Sequence, residues 1–181
     1  MNYTEAIVEL HNIVDKNFCD EVIKLSEKQC KNYFKIGSKG LVNKDERNVL
    51  GHHLDPKDHK IMFNKIVEEI TRLYKFYKIK FPYLRTNKIN QIDLLKYNEG
   101  GKYGYHVDTY TDFTRTLSVI INLNNEYEGG DLIFVDQKNF EIKKIKLGIG
   151  SAVFFPSNFM YPHGIQPITK GTRYSIVAWL Q

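Results

Sequence analysis

A chain of 181 residues that is 42% hydrophobic can bury one core and is too short for two ordinary domains, so a single domain is expected. Its net charge of +5 comes from lysines scattered along the chain; a solvated surface explains this better than a nucleic-acid track, which argues against a nucleic-acid partner. No basic segment leads into an apolar run, and nowhere do about 18 apolar residues run together, so neither export nor a membrane span is expected and the location reads as cytoplasmic.

The first third reads as helical. After an extended piece at 9–14, a helix is expected over about 18–29, capped by Asp15 or Asn17, with Cys19, Val22, Ile23 and Ser26 on its apolar side. Cys19 and Cys30 are eleven residues apart on it. That is roughly 16 Å along a helix axis, too far for a disulfide. Reduced thiols follow, and two cysteines do not make a zinc cage. Gly37, Gly40 and Asn43 mark a loop, His52 and His53 fall in a polar loop, and His59 falls at a helix start; no second metal site is expected there, and His11 shows no partner. A second helix opens with Asp55 as cap, Pro56 at the first helical position and Asp58 in the first turn, and runs to about Tyr77. Met62, Ile66, Ile70, Leu73 and Tyr77 recur at helical spacing, a stripe suited to bracing one face of a sheet.

From Ile89 the periodicity shortens. Strand-like runs at 92–97, 116–123, 132–135, 141–145, 151–155, 164–167 and 174–180 are separated by turn chemistry such as Glu99-Gly100-Gly101 and Lys170-Gly171. Many short strands at even spacing argue for a sandwich or barrel, with the jelly roll the best choice. The expected class is α+β: a double-stranded β-helix (jelly-roll, cupin-like) core over about 89–181, braced by an N-terminal helical support region of about 1–88.

His106 and Asp108 alternate with Val107, so an extended strand points both toward one face. An imidazole and a carboxylate two residues apart, joined by a distant histidine, compose the facial triad of a ferrous site, which leaves three positions open. His163, 55 residues after Asp108, is the best third ligand. Glu128-Gly129-Gly130-Asp131 reads as a tight turn needing positive φ; no helix follows it to cradle a phosphate.

The set Tyr97-x-x-Gly100-x-x-Tyr103-x-x-His106-x-Asp108, Arg115-x-x-Ser118, Asn122-Leu123-Asn124, Glu128-Gly129-Gly130-Asp131-Leu132-x-Phe134, residues 148–156, and His163-x-x-x-Pro167-x-x-x-Gly171-x-Arg173-Tyr174-Ser175 resembles the prolyl 4-hydroxylase-like branch of the 2-oxoglutarate and iron(II) oxygenases. The resemblance spans roughly residues 92 to 180. It implies that His106, Asp108 and His163 bind Fe(II), and that Arg173 pairs with the distal carboxylate of 2-oxoglutarate, as its planar fork suits. It places Tyr97 in the co-substrate pocket and Tyr103, Arg115 and Tyr174 along the substrate groove. Ser175, two residues after Arg173, is a candidate to set its hydroxyl beside the co-substrate. Collagen-type members tend to carry Lys where Arg173 stands, so a collagen-like substrate does not follow. The implied reaction couples O2 and 2-oxoglutarate, giving succinate and CO2, to hydroxylation of an unactivated C–H bond, with ascorbate as an accompanying reductant. A prolyl residue of a peptide or protein leads as substrate. The alternatives are a free amino acid or other small molecule, then nucleic-acid demethylation, and, from a different class, a non-catalytic or other-metal cupin-like binding protein.

Overall fold

Capping side chains begin both helices. Asp15 accepts from the backbone N–H groups of Asn17 and Phe18 and starts α1 (Lys16–Gln29); Asp55 accepts from Lys57 and, with Pro56 behind it, starts α2 (Pro56–Lys80). Of the two cap candidates for α1 it is Asp15 that serves. The computed structural model describes residues 3–36, 40–86, 88–109 and 114–181; the expected turn residue Gly37 lies outside them.

A 3-10 turn (Tyr3–Ala6) precedes β1 (Val8–Leu10). Between the helices run β2 (Asn32–Tyr33), β3 (Arg47–Asn48) and β4 (Leu50–His53). After α2 come β5 (Ile89–Tyr97), β6 (Lys102–His106), β7 (Leu117–Asn122), β8 (Tyr127–Gly129), β9 (Leu132–Val135) and β10 (Glu141–Ile145). The chain closes with β11 (Ala152–Pro156), β12 (His163–Ile165), β13 (Ile168–Gly171) and β14 (Arg173–Leu180). The larger sheet has the order β1-β11-β7-β14-β5-β4-β2, the smaller β10-β9-β12-β6-β3, and β13 pairs with β8 alone. The described residues are thus mostly β-sheet with two α-helices.

Period-two alternation divides the larger sheet's residues between two cores. Ile92, Leu94, Ile121, Phe154, Ile176 and Leu180 share one cluster with Cys19 and Val22 of α1 and Ile66, Ile70 and Leu73 of α2. Leu95, Tyr97, Ile120, Phe155, Val177 and Trp179 share the other with Phe134 and Ile165 of the smaller sheet. Met62, on the expected stripe of α2, is only partly buried against the first cluster.

The runs expected at 132–135 and 141–145 are strands with those bounds. Of the run at 164–167 only the first two residues are strand, the end of β12; Gln166 and Pro167 form a break before β13 begins at Ile168. The stretch between the helices corrects the loop reading: β2 and β4 extend the larger sheet and β3 extends the smaller, so His52 and His53 lie on a strand. Two-residue strands show no periodicity, and their partners are distant in sequence. His11 also has a neighbour, Glu9, at 3.7 Å. Both cysteines are free and buried. No helix among the described residues is long and apolar enough to cross a membrane.

Candidate active site

Antiparallel pairing of β12 with β6 sets His163 directly opposite His106. β6 ends at His106, so Asp108 lies just beyond the strand in a bend, not on it as expected. One ligand atom from each of His106, Asp108 and His163 falls within 4.8 Å of the others, the single such grouping among the described residues. Both imidazoles are oriented by backbone: His106 Nδ1 meets the Gly104 carbonyl at 2.9 Å, and His163 Nδ1 meets the Tyr161 carbonyl at 3.0 Å. Each ring therefore turns Nε2 toward Asp108, at 3.5 and 3.6 Å. Ser118 Oγ donates to Asp108 Oδ2 at 2.6 Å and is itself paired with Ser157 Oγ at 2.8 Å. These contacts supply the orienting partners that metal-ligating histidines and carboxylates need.

Burial pushes the Asp108 carboxyl up, but His163, His106 and the Ser118 hydroxyl outweigh it and hold the group well below the usual carboxylate range. Burial brings His163 down to about 4. An ionised carboxylate and a neutral buried imidazole are the forms that bind a divalent cation, so the donor set fits a ferrous ion.

The three residues open onto a cavity of about 810 Å³. Alternate residues of two neighbouring strands line it: Arg173, Ser175, Val177 and Trp179 from β14, and Gln91, Asp93, Leu95 and Tyr97 from β5. Arg173 is 2% exposed, pairs in register with Tyr97, and sets its guanidinium 5.3 Å from the centre of that ring. The Nε of Arg173 and the Oγ of Ser175 are buried without partners among the described residues. Burial pushes the Tyr97 hydroxyl above its ordinary value, so it stays protonated and can donate. A cationic fork, a hydroxyl donor and unpartnered buried atoms are groups that could hold a carboxylate.

Residues 92–181 match the model of the 2OG-Fe(II) oxygenase superfamily. The chain carries a 2OG-Fe(II) oxygenase domain. A PKHD-type hydroxylase of Shewanella oneidensis is 38% identical over 94 residues, 48% of this chain and 40% of that protein. One of Alteromonas mediterranea is 34% identical over 96 residues, 48% of this chain and 41% of that protein. The match thus spans about two fifths of these curated relatives. Among solved structures, a Pseudomonas putida prolyl-4-hydroxylase shares the fold at TM-score 0.76 and 17% identity, covering 97% of this chain and 92% of that one. A Trichoplax adhaerens prolyl hydroxylase, in complex with a hypoxia inducible factor oxygen degradation domain peptide fragment, does so at TM-score 0.77 and 17% identity, covering 98% and 84%.

Within the oxygenase domain, the cavity brings together eight of the nine singled-out residues. Tyr103 stacks on His106 with ring centres 3.7 Å apart. Arg115 lies 3.7 Å above the Trp179 ring and donates to the Asp108 carbonyl at 3.1 Å and to Gln91 Oε1 at 3.0 Å. Tyr174 is the exception. Strand alternation turns it to the helical side of β14, where its hydroxyl meets Glu27 of α1; it is not part of the groove. Its even-numbered place between Arg173 and Ser175 carried that information already.

The cavity also holds residues that lie outside the sequence motifs. Phe34, Arg47 and His53 come from the segment of β2 to β4, and Asp93 accepts from Gln91 Nε2 at 2.9 Å and faces His53 Nδ1 at 2.6 Å. The Asn122-Leu123-Asn124 motif of the oxygenase domain acquires a structural reason. Asn122 Nδ2 donates to the Asn124 and Leu147 carbonyls at 2.6 and 3.0 Å, and Asn124 accepts from the Tyr174 N–H at 3.0 Å, which anchors β14 beside Arg173.

Proposed function

We propose that this protein is a 2-oxoglutarate and Fe(II) dependent dioxygenase that hydroxylates a C–H bond of a prolyl residue in a peptide or protein. The convergence of His106, Asp108 and His163 on one cavity with the buried cation Arg173 carries this reading. The two sheets are read as the jelly roll of the superfamily, with α1 and α2 as its brace. In that role the Nε2 atoms of His106 and His163 and the Asp108 carboxylate hold the iron. The Arg173 guanidinium takes the distal carboxylate of 2-oxoglutarate, with Tyr97 and Ser175 as further donors. Bound iron, with 2-oxoglutarate as the electron donor that leaves as succinate and CO2, supplies the activation of O2. The protein's own part is orientation and dryness: Ser118 and the two carbonyls hold the ligands, and the apolar wall of Leu95, Ile120, Ile165 and Val177 keeps water from the reacting carbon.

A peptide substrate is supported by the Trichoplax adhaerens neighbour, which is complexed with a peptide fragment. Ascorbate is included as reductant, and a cytoplasmic setting agrees with two buried free thiols. Adding Fe(II) and 2-oxoglutarate without oxygen should give the weak visible charge-transfer band of the chelate. His106→Ala, Asp108→Ala or His163→Ala should lose both the band and succinate formation in air, because each removes one of three protein ligands. A variant that retains the band and full turnover at limiting iron removes that residue from the triad.

A further inference from the structure

The residues upstream of the family match build one wall of the cavity and carry polar chemistry that the oxygenase reading leaves unused. The Arg47 guanidinium, from β3, stacks on two rings, 4.8 Å from the centre of Phe34 and 4.4 Å from that of Tyr103. Its Nη1 donates to the Lys35 carbonyl at 3.0 Å. Its Nε is buried without an acceptor among the described residues, and none of their carboxylates forms an ion pair with it. Trp179, 6% exposed and lining the same cavity, also has its indole N–H buried without an acceptor.

Charge points the same way. Lys35, Arg47, Arg115 and Arg173 line the cavity against two carboxylates, Asp93 and Asp108. Asp93 is already engaged by His53 and Gln91. Loading does not remove the excess, because the two positive charges of ferrous iron and the two negative charges of 2-oxoglutarate cancel. Once Arg173 and Ser175 serve the co-substrate, the Arg47 and Trp179 donors still lack acceptors. A buried donor without an acceptor is unfavourable, and a guanidinium held by stacking, with Nη1 on the Lys35 carbonyl, still offers its Nε edge to an anion.

We propose that Arg47, with the Trp179 indole N–H, forms a carboxylate-binding subsite separate from Arg173, and that the substrate presents its own carboxylate there. The substrate half rests on the oxygenase reading; the subsite stands on the cavity alone. Two sources share this chemistry: an acidic side chain beside the target residue of a peptide, and the α-carboxylate of a free amino acid. Because Arg47 lies outside residues 92–181, selectivity resides in the part of the chain that the family match does not cover.

Trp179 is the one tryptophan, so its emission reports occupancy of the cavity. Blocked Glu-Pro is titrated against blocked Gln-Pro, and free L-proline against L-prolinamide, under argon, with and without Fe(II) and 2-oxoglutarate. In at least one pair the acid should bind at least tenfold more tightly than its amide. The first pair assigns a side-chain carboxylate and the second an α-carboxylate. Arg47→Gln should bring the ratio below twofold. Arg47→Lys, which keeps charge without the fork, should leave it between two- and fivefold, and it decides the matter if Arg47→Gln does not fold by circular dichroism. Arg173→Gln, without 2-oxoglutarate, should leave the ratio in place. Equal affinities in both pairs, or a preference that survives loss of Arg47, overturn the subsite. An Arg47-dependent preference in a protein that shows no charge-transfer band would sink the oxygenase reading and keep the subsite.

Discussion

Arg173 occupies a position that only an anion makes comfortable. It is 2% exposed, and no carboxylate among the described residues pairs with it. A buried cation without a counter-charge is unfavourable, which supports the proposal that a ligand brings one. Arg173→Ala should therefore leave iron binding intact and weaken 2-oxoglutarate by about 2–3 kcal/mol, roughly 30- to 150-fold, in an anaerobic titration. Arg173→Lys should fall between. An unchanged titration would move the clamp elsewhere. His53 offers a second measurable residue. Its hydrogen bond to Asp93 raises its proton affinity above the ordinary value, against burial and the nearby charges of Arg47 and Arg115. Since the folded value is the higher one, the pair's contribution to stability is complete below about pH 6.5 and fades as pH rises through the folded value. Asp93→Asn should lower the His53 value seen by NMR and flatten that part of the stability profile. An unmoved titration would deny the pairing.

Among the elements, the Glu128-Gly129-Gly130-Asp131 segment shows a local rule acquiring a distant purpose. Both glycines have positive φ, 76° and 68°, as the sequence reading required. The structure adds that a Cβ on Gly130 would lie 2.4 Å from Ile168 Cδ1 and 3.2 Å from Arg173 Cδ. The turn thus makes room for the Arg173 side chain. Gly130→Ala should destabilise by about 1–3 kcal/mol through strain, read as a lower Tm, and should weaken 2-oxoglutarate as Arg173 is displaced. Wild-type stability and co-substrate affinity together would show that the crowding is relieved freely. The helices were legible for the opposite reason. Asp15, Asp55 and Pro56 act within a few residues of themselves, so their effect can be read without knowing the fold.

At the scale of the molecule, the stretch that matches the family model shares its sheets and its core with upstream elements. Residues 92–181 hold β6, β7, β14 and most of β5, but β4 pairs with β5, β3 with β6 and β1 with β11. Leu94, Ile176 and Leu180 are covered by a cluster that includes both helices. A fragment of residues 92–181 should lack a cooperative thermal transition and should bind hydrophobic dye, because it leaves that face in water and three sheet edges, those of β5, β6 and β11, unpaired. A sharp transition in the fragment would show that the upstream segment serves only the cavity wall.

What the sequence determined by itself is what local spacing encodes: two capped helices, the β-rich second half, and a histidine and carboxylate close enough in sequence to chelate together. His163 was also legible, because the motifs around it preserve their order. The tertiary structure decided which partners meet across distance. Pairing of β12 with β6 sets His163 against His106, and alternation along β14 sends Arg173 and Ser175 into the cavity and Tyr174 away from it. It also brings Arg47 and His53 to the cavity from strands of two and four residues. Such strands carry no periodic signal, since their stability comes from the ladders they join and not from their own residues.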